Sequence, residues 1–165
     1  MRIRNRHGQR GFSLLELSVA AAIYSMGLGS VSLMMMLAVQ GTMAARHDTA
    51  ATMHAASLAE RIAMSSDAFG HFIYPAEAAT CEPATACPGG AWAASGLSEW
   101  RAGLAADLPS ASGLVCRDAT PGDGNTADPA CDGAGAPVIK IFWQAPGKRG
   151  AEAEARRHVT RLPRP

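Results

Sequence analysis

The sequence predicts an α+β fold: a long N-terminal helix with a membrane half and an amphipathic half, packed on a small antiparallel sheet. Three observations predict it. An apolar run over 12–39 continues, without a proline, into a stretch whose apolar residues recur at helical spacing. A second helical stripe, Leu97, Trp100, Leu104 and Leu108, stops at Pro109. Short segments rich in β-branched and aromatic residues follow at 113–116, 138–143 and 158–162. Helices first and strands joined by loops afterwards are the order of an α+β domain.

The long helix is expected over about 12–65. A spanning helix needs about 20 apolar residues, and the first half of this one exceeds that length. A secretory signal has a shorter apolar core, followed by a small-residue cleavage site that this run lacks. In the second half Ala51, Ala55, Leu58 and Ile62 share a face, while Arg46, Asp48, Glu60 and Arg61 are polar. Gly27, Gly29 and Gly41 each weaken the helix by about 1 kcal/mol relative to Ala, and are read as close-packing positions in lipid. Met34, Met35 and Met36 are read as lipid-facing.

Residues 67–90 read as irregular, broken by Pro75, Pro83, Pro88 and the Gly89-Gly90 pair. Phe69, Phe72, Ile73 and Tyr74 are expected to pack back on the long helix. The second helix is expected over 92–108. Residues 118–137, rich in Gly, Asp and Pro, read as a loop between two strands, and 138–143 is the clearest strand of the chain. The segment 158–162 is expected as an edge strand.

Charge sets the orientation. Arg2, Arg4, Arg6 and Arg10 precede the apolar run with no acid among them. That asymmetry keeps the N-terminus cytoplasmic and sends the rest of the chain across. Between Arg10 and Arg46 the only charged side chain is Glu16. A charge inside a membrane helix costs about 2.5–3.5 kcal/mol on insertion scales, so it calls for a partner.

Gly11-Phe12-Ser13-Leu14-Leu15-Glu16, behind the basic leader, resembles the prepilin signal of type IV pilins and type II secretion pseudopilins. The resemblance implies a leader over 1–11, a transmembrane and filament-core helix over 12–39, and a periplasmic pilin-like domain over 40–165 with a basic C-terminal tail. It implies cleavage by the prepilin peptidase between Gly11 and Phe12, and N-methylation at Phe12. It implies that Glu16 pairs in assembly with the Phe12 amine of a neighbouring subunit, so that two costly charges become one neutral pair. The implied partners are the peptidase, other minor and major pilins, the inner-membrane assembly platform and membrane lipid. The implied location is the inner membrane, single-pass with the C-terminus in the periplasm, and then the pilus.

Farther along the resemblance is weaker. Leu58-Ala59-Glu60-Arg61-Ile62 is similar to a segment of minor pilins of the type IV pilus modification family. Trp100, Leu108-Pro109, Gly113 and a strand ending in Trp143 follow the order of that family. The resemblance implies a minor pilin that primes pilus assembly near the tip, with a minor pseudopilin of a type II secretion system as the alternative. The stretch 147–165 matches nothing in the family.

Removal of the leader leaves eleven basic and fourteen acidic side chains, which argues against a generally basic nucleic-acid binder. Cys81, Cys87, Cys116 and Cys131 all follow the apolar run, in a compartment where disulfides persist. Four cysteines allow three pairings. The short loops favour Cys81–Cys87 and Cys116–Cys131. A zinc site would need a C-x-x-C pair or a neighbouring histidine, and the spacing offers neither.

Asp123, Asn125, Asp128 and Asp132 are oxygen donors in one loop, but their spacing fails the EF-hand pattern and a solvated, turn-rich loop is expected. Lys148, Arg149, Arg156, Arg157, Arg161 and Arg164 read as a solvated tail, with contact to DNA or an anionic surface as the functional alternative. No nucleophile elbow, Walker loop or zincin helix is present, and His7, His47, His54, His71 and His158 are scattered. Neither a cofactor nor catalysis is expected.

Overall fold

The computed structural model describes residues 11–65, 68–74, 89–145, 147 and 152–163. Its elements are α1 (Leu14–Ala63), α2 (Phe69–Phe72), α3 (Gly89–Asp107), β1 (Ser112–Asp118), β2 (Ala136–Ala145) and β3 (Glu154–Arg161). The chain divides into two units, Met1–Gly41 and Thr42–Pro165, and each is described by itself. The fold is α+β, with a long N-terminal helix and a three-stranded antiparallel sheet of order β1-β2-β3.

In the first unit, α1 runs unbroken through Gly27 and Gly29, and nothing lies within 4 Å of where a Cβ would stand at either. Its large apolar side chains are exposed, Met34, Met35 and Met36 among them. Ser13 precedes α1, and its carbonyl accepts the Leu17 N–H at 3.1 Å.

In the second unit, the helical stripe read from the sequence is the one that is buried. Ala51, Ala55, Leu58 and Ile62 of α1 meet Leu97, Trp100, Leu104 and Leu108 in one core. Trp100 Nε1 donates to the His54 carbonyl at 2.9 Å, and His54 Nε2 sits 2.8 Å from Asp107 Oδ2. A ring this large comes so close to α1 because its neighbours on that face are alanines. Trp100 also lies over β1, where a Cβ at Gly113 would collide with its ring and with Leu104.

Strand β2 is central. It pairs with β1 from Ser112↔Phe142 to Asp118↔Ala136, and with β3 from Val138↔Arg161 to Ala145↔Glu154. Ile139, Ile141 and Trp143 face the helices with Val115. Val138 and Phe142 face the other way with Leu114 and Cys116, against Cys131 and Val159. Burial on both faces explains why β2 reads as one nearly continuous apolar run rather than an alternation.

Four local expectations are corrected. Gly89 and Gly90 open α3 instead of breaking the chain. Glycine is tolerated in a first turn, and a Cβ at Gly90 would stand 2.9 Å from the His71 ring. Tyr74 is exposed rather than packed, although its N–H bonds the Val115 carbonyl at 2.8 Å beside an Ile73↔Val115 bridge. Strand β3 begins at Glu154, four residues before the expected start at His158. Arg156, Arg157 and Arg161 therefore belong to the sheet and not to a solvated tail, because pairing with β2 carries a polar segment whose own composition does not suggest a strand. Lys148, Arg149, Arg164, Cys81, Cys87, Pro75, Pro83 and Pro88 lie outside the described residues.

Replacing Gly113 with Ala should destabilise the fold by about 1–3 kcal/mol, since Trp100 must move and its bond to His54 goes with it. Urea unfolding of the detergent-solubilised chain measures this, and an unchanged midpoint would refute the close approach.

Candidate functional site

Two regions concentrate chemistry. The first is the start of α1. Gly11, Phe12 and Glu16 are all exposed, Phe12 at 84%. Glu16 lies in the first helical turn, where the helix dipole favours a carboxylate. With Ser13 at the cap, Glu16 also holds the third helical position, the place of the acid in a capping box. This Ser-x-x-Glu spacing is not among the features read from the sequence above.

Four serines of the apolar stretch turn their hydroxyls back on the helix. Ser18 Oγ donates to Leu14 O, Ser25 to Ala22 O, Ser30 to Gly27 O and Ser32 to Leu28 O, at 2.8–2.9 Å. These four hydroxyls thereby place their donors on carbonyls of the helix itself, as an apolar solvent favours. By length and composition α1 is a candidate membrane span.

The second region is the loop between β1 and β2, organised around a residue the sequence analysis passed over. Lys140, in the middle of β2, is fully buried. Its ammonium forms an ion pair with Asp118, itself buried, and reaches Asp123 Oδ1 at 3.1 Å and the Pro129 carbonyl at 2.8 Å. A buried charge needs such partners, since desolvation costs several kcal/mol per ion. The visible signal was a single lysine inside an apolar run.

The loop folds onto this cation. Gly124, at φ 85°, passes so close to the Pro129 carbonyl that a Cβ would not fit. Gly135, at φ 75°, does the same beside the Asp118 carbonyl. The Cys116–Cys131 disulfide joins the loop to β1, as the sequence reading favoured.

The four oxygen donors do not converge on a common point. Asn125 Oδ1 accepts from Ala127 and Asp128 N–H, and Asp128 Oδ1 from Ala130 N–H. Asp132 accepts from Ala119 and Ala134 N–H. Asp123 takes the Thr120 hydroxyl at 2.9 Å and pairs with Lys140. Among the described residues no group of three or more His, Cys, Asp or Glu is placed to hold a metal ion.

Beside the loop lies an open cavity of about 460 Å³, lined by Tyr74, Arg101, Ser112, Leu114, Thr126 and Phe142 among others. Arg101 Nε donates to the Gly113 carbonyl at 3.0 Å, and burial lowers its pKa from the ordinary value.

Comparison with protein-family models, with curated proteins and with solved structures gives no match.

Two predictions follow from the buried lysine. Asp118→Asn should destabilise the chain by about 3–5 kcal/mol by leaving a buried cation short of charge, and adding Lys140→Met should recover part of that loss. A double-mutant cycle by urea unfolding decides, and strict additivity would sink the idea. The second prediction concerns pH. The Thr120 hydroxyl, and then Lys140, hold the Asp123 carboxyl below its ordinary value of 3.8. Its contribution to stability is therefore present above pH 3.8 and is lost as the pH falls through the lower folded value. The unfolding midpoint should drop more steeply below that pH in the native chain than in Asp123→Asn, and parallel curves would contradict it.

Proposed function

We propose that this chain is a minor subunit of a type IV pilus. It enters the inner membrane as a prepilin and is cut by the prepilin peptidase between Gly11 and Phe12. It is then N-methylated at Phe12 and built into the filament through its apolar helix. One observation carries the reading. Glu16 is the only charged side chain in the exposed apolar part of α1, between Arg10 and Arg46, and it stands at a set distance from the Gly11-Phe12 junction behind a basic leader.

The physics supports it in three steps. Exposed side chains such as Leu15, Leu17, Ile23 and Met26 require lipid or other helices around them. A carboxylate in that setting is stabilised by a cation, and cleavage after Gly11 creates one at the Phe12 amine. Within one chain the two groups sit at the same helix end, and between staggered chains the amine of one meets the carboxylate of the next. Docking then relieves the desolvation cost of both charges. The role is non-catalytic. A minor pseudopilin of a type II secretion system would use the same helix, and the filament with which the chain copurifies separates the two.

Mass spectrometry of the mature N-terminus tests processing: the expected species begins at N-methylated Phe12, and a chain that retains Met1 would end the filament reading. Glu16→Gln tests the pairing, because glutamine keeps the capping position and loses the charge. It should be processed normally, yet its recovery in sheared pili should fall about tenfold or more. Recovery equal to the native chain would refute the pairing.

A further inference from the structure

Strand β3 is the outer strand of the sheet, and its far edge carries no partner among the described residues. The Leu162 N–H bonds the Pro137 carbonyl at 2.9 Å, which sets the phase of the β2–β3 ladder. In an antiparallel pair hydrogen-bonded positions alternate, so the N–H and C=O groups of Ala155, Arg157, Val159 and Arg161 point outward. The opposite edge of the sheet differs, since Tyr74 already bonds the Val115 carbonyl there.

The side chains along the open edge are basic. Arg156 pairs with Glu154 at 3.1 Å. Arg157 reaches only the Gly124 carbonyl, at 3.4 Å, and Arg157 and Arg161 have no carboxylate partner among the described residues. Both are exposed. By the register, Arg157, Val159 and Arg161 stand on the face of Val138 and Phe142, and Arg156 on the face of Ile141 and Trp143.

We propose that the open edge of β3 takes up an extended, acidic segment of another protein as a fourth strand. Backbone groups supply the binding, as in strand addition to any exposed edge, and the arginines choose the partner. A second copy of this chain is disfavoured. Antiparallel self-pairing about a two-fold axis sets Arg157 against Arg157 when centred there. Centred on Val159 it sets Arg157 against Arg161, and between the two it sets His158 against His158. Nucleic acid is also disfavoured, because Arg156 lies on one face and Arg157 and Arg161 on the other, so the three do not converge on one phosphate track. An antiparallel partner strand should instead carry acids opposite Arg161, Arg157 and Arg156. Read along that strand, the pattern is acid-x-x-x-acid-acid. The inference does not depend on the filament reading.

The test uses the full chain in detergent micelles and a fluorescent ten-residue peptide, alternating Thr and Val except for glutamates in that pattern. Anisotropy should show saturable binding, weakened about tenfold by Arg157→Glu with Arg161→Glu. A peptide of equal charge, N-methylated at its edge-facing nitrogens, should not bind, and this comparison needs no variant protein. Equal binding of the methylated peptide would overturn strand addition, as would no binding of the parent peptide. Tighter binding of a DNA duplex than of the peptide would overturn the choice of partner.

Discussion

Strand β2 has both faces buried, and the rest of the second unit is arranged to keep them so. On one side the cover is a pair of helices, α1 and α3, locked by Trp100 against the His54 carbonyl. On the other side the cover is only a loop. A loop has little apolar surface to offer, so an ion pair and backbone carbonyls gathered by Lys140 do what side-chain packing does elsewhere. The disulfide and the two tight glycines bring the chain to that ammonium. Asp118 is the hinge of the arrangement, because it closes β1, neutralises Lys140 and accepts the Thr120 N–H.

Much of this was legible in the sequence, and the reasons are specific. The stripes Ala51-Ala55-Leu58-Ile62 and Leu97-Trp100-Leu104-Leu108 were readable because burial on one helix face imposes a period, and a period survives without knowledge of the partner. Strands β1 and β2 were readable because their composition is that of buried sheet. The start of β3 was not, since an edge strand needs no apolar pattern and this one is built of Glu, Ala and Arg. Gly89-Gly90 misled because a glycine pair signals a break, unless a neighbour such as His71 occupies the space of a side chain.

The candidate sites divide in the same way. Gly11, Phe12 and Glu16 form a contiguous motif, and contiguity is what sequence shows best. The Lys140 cluster joins residues from two strands and a loop, so no local window contains it. The aspartates and the asparagine of that loop drew attention as metal ligands because carboxylates in a Gly-rich segment look alike whether they serve an ion or a turn. Their hydrogen bonds to nearby N–H groups are those of turns.

The serines of the apolar half of α1 are bonded to carbonyls one turn back. Their hydroxyls are thereby silent toward the surroundings, and the large exposed side chains of this half are mostly apolar. Glu16 is the only charged side chain between Arg10 and Arg46, so in the filament proposed above a neighbour that pairs with Glu16 would also fix the angle of every side chain above it.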